Sequence, residues 1–202
     1  MKILLLKEGK GYFIFFLLFL LIDLSNLSAQ DRSFDEISIG LNFSNNFNKE
    51  TLYDYWDPGN SYEAYLRTPI QFGNVQAGLS YMPFKSKNTE QPDFNGTFIY
   101  LQWDKDIFTV NDFEVNAGIK FGIFRMVFDK TELYYGEDEI QEHEIFTGLA
   151  ASVNYKIMQN VGLSFSANYN SILTHKKINL FFVGAGFYYT FDSPLWLKDF
   201  LK

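Results

Sequence analysis

Few residues in this 202-residue chain have the types and spacing that chemistry needs. Cysteine is absent, which removes thiol nucleophiles, disulfides, thiolate metal sites and a lipid-modified N-terminal Cys. The two histidines are His143 and His175. His143 lies between Glu142 and Glu144, just after Glu137, Asp138 and Glu139. That run offers oxygen and nitrogen donors for a divalent cation but lacks the ordered spacing of a calcium loop, and it reads as a solvated loop. Ser171 and His175 are a possible nucleophile and base, yet no carboxylate is evident to orient the imidazole, and a triad needs base and orienter within hydrogen-bond reach. They read as ordinary loop residues. The sequence therefore predicts no catalytic residue, no metal site, no cofactor and no enzyme activity.

The remaining candidates are charges and aromatics embedded in strands. In FEVNAGIKFGIF, every second residue from Phe113 to Ile123 is apolar, and the alternate residues Glu114, Asn116, Gly118, Lys120 and Gly122 are polar or small, with Phe124 breaking that set. Successive side chains of a strand point to opposite faces, so this segment has one apolar and one polar or small face. Seven more segments alternate in the same way: Ile37–Ser44, Tyr62–Thr68, Val75–Tyr81, Thr97–Asp104, Glu144–Lys156, Val161–Asn170 and Phe181–Phe191. On the phase opposite the apolar one lie Glu63, Arg67, Asp104, Glu114, Lys120 and Lys156, which are predicted to form a polar network filling a barrel lumen. Glu114 and Lys120 are roughly 20 Å apart along one strand and cannot pair with each other, so each needs a partner on another strand. The same phase carries Phe98, Tyr100, Phe124 and Phe146, the candidate lining of a pocket for a small hydrophobic molecule.

Long gaps (45–61, 82–96, 128–143) alternate with short ones (69–74, 105–112, 157–160), and 171–177 is intermediate. Outer-membrane barrels segregate long exterior loops from short periplasmic turns in this way. An even strand count then puts both ends of the barrel on the short-turn side. The apolar phase is rich in Phe, Tyr, Trp, Leu, Ile and Val, with aromatics near strand ends, whereas the opposite phase holds Gly, Ser, Asn and charges. An eight-stranded interior is just wide enough to be filled by side chains. The expectation is an all-β, eight-stranded antiparallel up-and-down transmembrane β-barrel with its apolar phase in lipid. The alternative at fold level is a secreted lipocalin-like binder with that phase turned inward.

The first residues carry Lys2, Lys7 and Lys10, the apolar run Tyr12–Ile22, and Leu27-Ser-Ala29 ahead of Gln30. A basic lead, a short apolar core and a small residue before a polar segment make a secretory signal peptide, cleaved after Ala29. A spanning helix wants roughly 20 apolar residues, and Asp23 ends this run. Residues 1–29 hold three lysines and two acids, so their removal from 17 basic and 24 acidic groups leaves 14 and 22, a net charge of −8 on 173 residues. Such a balance argues against nucleic acid as a partner. After Phe191, Ser193-Pro194 is a helix-start signature, and LWLKDFLK sets Leu197, Phe200 and Leu201 near one side. The organisation predicted is a signal peptide (1–29), a barrel domain (30–191) and a short periplasmic tail (192–202), possible as an amphipathic helix.

With its Leu-Ser-Ala-Gln leader end, eight alternating strands and a last strand GAGFYYTF (Gly184–Phe191), the chain resembles the small outer-membrane β-barrel proteins of Gram-negative bacteria, the OmpA, OmpX and OmpW-like group. The resemblance covers nearly all of the chain after residue 29 and rests on pattern rather than on a specific motif. It implies a place in the lipid bilayer of the outer membrane and recognition by the barrel-assembly machinery, whose signal maps onto Phe187, Tyr189 and Phe191, although this chain continues for eleven residues beyond Phe191. Three functional readings follow: a non-enzymatic envelope or surface-interaction protein acting through its exterior loops, a binder or transporter of a small hydrophobic molecule, and a lipid A-modifying enzyme.

Overall fold

The computed structural model describes residues 33–47, 51–88, 91–129, 140–174 and 178–196. Nine strands are present among them: β1 (Glu36–Asn46), β2 (Trp56–Pro58), β3 (Ser61–Ile70), β4 (Gly73–Ser86), β5 (Phe94–Val110), β6 (Phe113–Phe128), β7 (Gln141–Lys156), β8 (Val161–Ile172) and β9 (Ile178–Asp192). Eight of them close a ring, each paired antiparallel with its neighbour in sequence and β1 with β9. The ninth, β2, pairs with the far end of β4, Pro58 opposite Phe84, so it prolongs the line of β3 past a break at Gly59-Asn60. There Gly59 N–H donates to the Pro83 carbonyl at 2.8 Å. The even, antiparallel ring is as expected.

The strands run further than the alternation shows. Thr97–Asp104 is the middle of a 17-residue β5, and the expected gap at 105–112 shrinks to a two-residue turn, Asn111-Asp112. The pattern fails there because the register shifts between Asp106 and Phe108. One inserted residue, Ile107, reverses the side-chain phase. Asn111 closes the turn with φ at 51°, the left-handed geometry that two-residue hairpins favour. The long gap at 82–96 shortens to residues 87–93 for a different reason: the inward phase turns apolar at Met82, Phe84 and Phe94 while the outward phase carries Pro83, Lys85 and Asn95, so the contrast that marks the lipid face is inverted there. Turns at 71–72, 111–112 and 157–160 nevertheless all lie at one end and the longer connections at the other. The termini of the barrel join the short-turn end, where Ser193 N–H donates to the Asp35 carbonyl at 2.9 Å.

Paired residues trace the shape of the ring. Starting at Gly162 they run through Tyr188, Gly40, Tyr65, Gly78, Tyr100, Gly122 and Phe146, and return to β8 at Ile172, ten residues further on. A shear of ten over eight strands sets a strand tilt of roughly 40°. This path alternates glycine and aromatic residues. The rings of Tyr65, Tyr100 and Tyr188 lie where a Cβ on Gly40, Gly78 or Gly162 would have to sit. Absent side chains on alternate strands are thus what let large rings lie flat inside so narrow a barrel.

The outer face is apolar. Ile39, Leu41, Leu66, Leu79, Ile99, Ile119, Phe121, Ile145, Leu149 and Phe165 are all exposed, Leu149 at 63%. No soluble protein stabilises a continuous band of this kind in water, while hydrocarbon solvates it and the closed ring satisfies the backbone. Aromatics bound the band on both sides, with Phe43 against Tyr62 at 5.5 Å near the long-loop end and Phe113 against Tyr155 at 4.6 Å near the short-turn end. Lipid therefore meets the apolar phase, and the lipocalin arrangement is excluded. Among the described residues no helix is long and apolar enough to cross a membrane. Leu195 and Trp196 begin a helical turn after Pro194; the rest of the expected tail helix and the expected signal peptide lie outside the described residues.

Candidate functional site

The inward phase of the strands builds two stacked compartments. Nearer the short-turn end the lumen is polar. Lys120, 4% exposed, places Nζ 2.8 Å from Glu63 Oε1 and 3.5 Å from the centroid of the Tyr100 ring. The Tyr100 hydroxyl donates to the same carboxylate oxygen at 2.6 Å, and Asn42 Nδ2 donates to Glu63 Oε2 at 3.2 Å. Glu63 so receives three donors from three strands, which is what a buried carboxylate needs to remain charged. Gln76 Nε2 donates in turn to the Tyr100 oxygen at 2.7 Å.

Arg67 organises a second cluster one layer closer to the turns. Its Nη2 lies 2.9 Å from Asp104 Oδ1, 3.0 Å from Glu114 Oε1 and 3.7 Å from Asp106 Oδ1. Asn74 Nδ2 donates to Asp104 and Asp106, Gln102 Nε2 to Asp104 Oδ2, and Asn116 Nδ2 to Glu114. Five of the six charges anticipated inside, Glu63, Arg67, Asp104, Glu114 and Lys120, are therefore brought together with partners on other strands. Lys156 is the exception: it is exposed at the last position of β7, beyond the reach of the lumen. Asp106, Asn42, Asn74, Gln76, Gln102 and Asn116 complete the clusters; the inward phase held a signal for all of them. Cavities of about 30 Å³ and about 10 Å³ lie in and just above this polar layer, room for single waters.

Nearer the long loops the interior becomes aromatic. Phe98 stacks on Phe124 at 4.3 Å and meets Phe146 edge-on at 5.0 Å and Phe182 at 6.2 Å. Phe84 stacks on Phe94 at 4.2 Å. Phe98, Phe124 and Phe146 are almost wholly buried. Of the four aromatics proposed as a pocket lining, these three instead fill the barrel with one another, and Tyr100 belongs to the Glu63–Lys120 cluster. The reason is geometric: an eight-stranded lumen has no width left once facing rings touch.

The apolar cavity lies above this plug, at the long-loop mouth. It measures about 320 Å³ and is lined by Leu52, Tyr55, Trp56, Phe94, Met126, Phe128, Glu142, Glu144, Thr174 and Ile178. Leu52 comes from a 3-10 helix, Thr51–Asp54, in the first long connection. The Trp56 indole N–H donates to the Pro92 carbonyl at 2.8 Å, and its ring meets Phe94 edge-on at 5.4 Å, so this wall is held from two sides. Phe94 also contacts Phe128 at 5.1 Å. None of these lining residues stands in the expected pocket. Continuing the inward phase of β5 and β6 by two or four residues would have found Phe94, Met126 and Phe128.

Glu142, His143 and Glu144 belong to β7, not to a loop. Glu142 and Glu144 line the cavity, opposite Met126 and Phe124, while His143 pairs with Arg125 on the other face. Among the described residues no group of three or more His, Cys, Asp and Glu is placed to hold a metal ion; Glu137, Asp138 and Glu139 lie outside them. Ser171 is a buried strand residue opposite Thr147 and Asn179, not a loop residue, and His175 lies outside the described residues. On the last strand Phe187 and Tyr189 face outward and are exposed, and Phe191 is half-buried beside Tyr189.

No protein-family model matches the chain, and no curated protein matches it in sequence. Solved structures do. Neisserial surface protein A is similar over 80% of this chain and all of its own, with 17% identity and a TM-score of 0.55. The outer membrane protein OprG of Pseudomonas aeruginosa matches over 79% of this chain and 97% of its own (11% identity, TM-score 0.49). The N-terminal barrel domain of OprF from the same organism matches over 79% and 100% (12% identity, TM-score 0.48). At such identities the likeness is one of fold. The chain has the fold of the small outer-membrane β-barrel proteins, and its apolar belt suits it to that bilayer.

Proposed function

We propose that this chain is a non-enzymatic outer-membrane barrel that works at its exterior, long-loop end through contact with surfaces or partners, and that its lumen conducts nothing. The observation that carries this reading is the double closure of the lumen, by the Glu63–Lys120 and Arg67–Asp104–Glu114 ion pairs below and the Phe98–Phe124–Phe146 rings above. On this reading residues 1–29 are an export leader, and Phe187, Tyr189 and Phe191 present the outward aromatic edge that the barrel-assembly machinery reads. Fractionation of expressing cells should recover the chain with the outer membrane, with a gel mobility that shifts on heating, and purified protein in planar lipid bilayers should give no steady conductance. Recovery in the soluble fraction, or a stable open pore, would overturn the proposal. A second reading, binding of a small hydrophobic molecule, is favoured by the cavity at the long-loop mouth, whose volume falls at the lower end of ligand pockets.

A further inference from the structure

We infer that the mouth cavity binds an amphipathic cation, an apolar or aromatic body carrying a single ammonium group. This inference rests on the second reading above, that the long-loop end takes a small molecule, and adds the chemistry of the ligand.

Three features of the cavity point the same way. Its floor and walls are hydrocarbon and ring: Leu52, Trp56, Phe94, Met126, Phe128 and Ile178. A body of that character is desolvated there with a gain proportional to its buried apolar area. Among the described residues its charge is of one sign. Glu142 and Glu144 lie two apart on β7 and so share the inward face, and no basic side chain lines the cavity among the described residues. Neither glutamate has an ion-pair partner among those residues, in contrast to Glu63, Asp104 and Glu114 below. Lastly, the aromatic faces of Tyr55 and Trp56 attract cations and not anions. The Trp56 ring is already fixed by its bonds to Pro92 and Phe94, so a ligand stacking on it immobilises little that was free.

The acids also stand in an unusual place. Opposite Phe124 and Met126, they are the inward positions next above the aromatic plug, where an apolar side chain would continue the packing. A carboxylate at the boundary between ring and water positions a ligand's charged end outward while its body sits in the cavity. An anionic ligand of equal size would meet repulsion from both acids, and a neutral one would forgo their attraction.

The test uses the full barrel in phosphatidylcholine nanodiscs, with empty nanodiscs subtracting partition into lipid, and three probes that share a ring: 1-naphthylmethylamine, 1-naphthylmethanol and 1-naphthaleneacetate. Calorimetric titration should give saturable binding of the amine, about tenfold tighter than the alcohol, and still weaker binding of the acetate. In the Glu142→Gln/Glu144→Gln variant, with folding checked by heat-dependent gel mobility, the amine should fall to the affinity of the alcohol while the alcohol is unchanged. Equal binding of all three probes, or an amine preference that survives the double substitution, would overturn the cation inference and leave the second reading standing. Absence of saturable binding by any probe would overturn both.

Discussion

Below the Phe98 ring the barrel interior is held by charge, and above it by shape. The lower layer pairs Lys120 with Glu63 and Arg67 with three acids, each charge bonded to a different strand. The upper layer is made of rings, stacked or edge-on with centroids 4.2 to 6.2 Å apart, and no ion pair joins them among the described residues. The two answer the same problem, how to fill a lumen one side chain wide without leaving a path for water. They differ in what a mutation does. In the ionic layer, volume is secondary and an orphaned charge is the cost; in the aromatic layer, volume is the whole of it.

The sharpest break of that comparison is Lys120→Met, which keeps length and removes charge. It leaves Glu63 buried without its cation and should destabilise the barrel by about 3–5 kcal/mol, read from denaturant unfolding in lipid vesicles. Adding Glu63→Gln should recover most of the loss, since no unpaired charge then remains; a single variant as stable as the parent would remove the ionic layer from the account. Phe98→Ala should cost a comparable or slightly smaller ~3–4 kcal/mol, here by opening a cavity among Phe124, Phe146 and Phe182. The outer face provides the control. Leu149→Arg, near the middle of β7, should cost about 2–4 kcal/mol in a bilayer, and little effect would mean that this face does not meet hydrocarbon. Gly78→Ala forces a methyl into the Tyr100 ring and should cost about 1–3 kcal/mol, unfolding at lower denaturant with an unchanged slope. The mildest effect should come from Phe98→Leu, an apolar replacement only slightly smaller than the ring, which the aromatic layer should absorb for under ~1.5 kcal/mol, against the much larger loss from Lys120→Met, which keeps length as well.

Much of this architecture was legible along the chain because hydrocarbon outside and packed side chains inside impose a period of two on every strand. Ile145, Leu149 and Val153 against Phe146, Ala150 and Asn154 is that rule written out. It failed where a physical reason interrupts it: at Ile107, where a bulge reverses the phase, and at Met82–Phe84 and Phe94, where the aromatic layer makes the inward side apolar while the outward side turns to Pro83, Lys85 and Asn95. Phe94 is also a wall of the mouth cavity. The expected pocket was for that reason set one layer too deep, on rings that touch each other. Lys156 keeps the inward phase of its strand, yet phase says nothing of depth, and the residue sits past the end of the lumen.

From the sequence alone came the eight strands of the ring, the segregation of long and short connections, the face that meets lipid and five of the charges that must find partners, Glu63, Arg67, Asp104, Glu114 and Lys120. Each follows from alternation and burial cost, which are local properties of a strand. Which charge meets which was decided only by closure. A shear of ten residues brings Glu63 of β3 within 2.8 Å of Lys120 on β6, three strands away, and stacks rings from β4, β5, β6, β7 and β9 into one plug. The interior contacts of a barrel run across its diameter, and no spacing along the chain encodes a diameter.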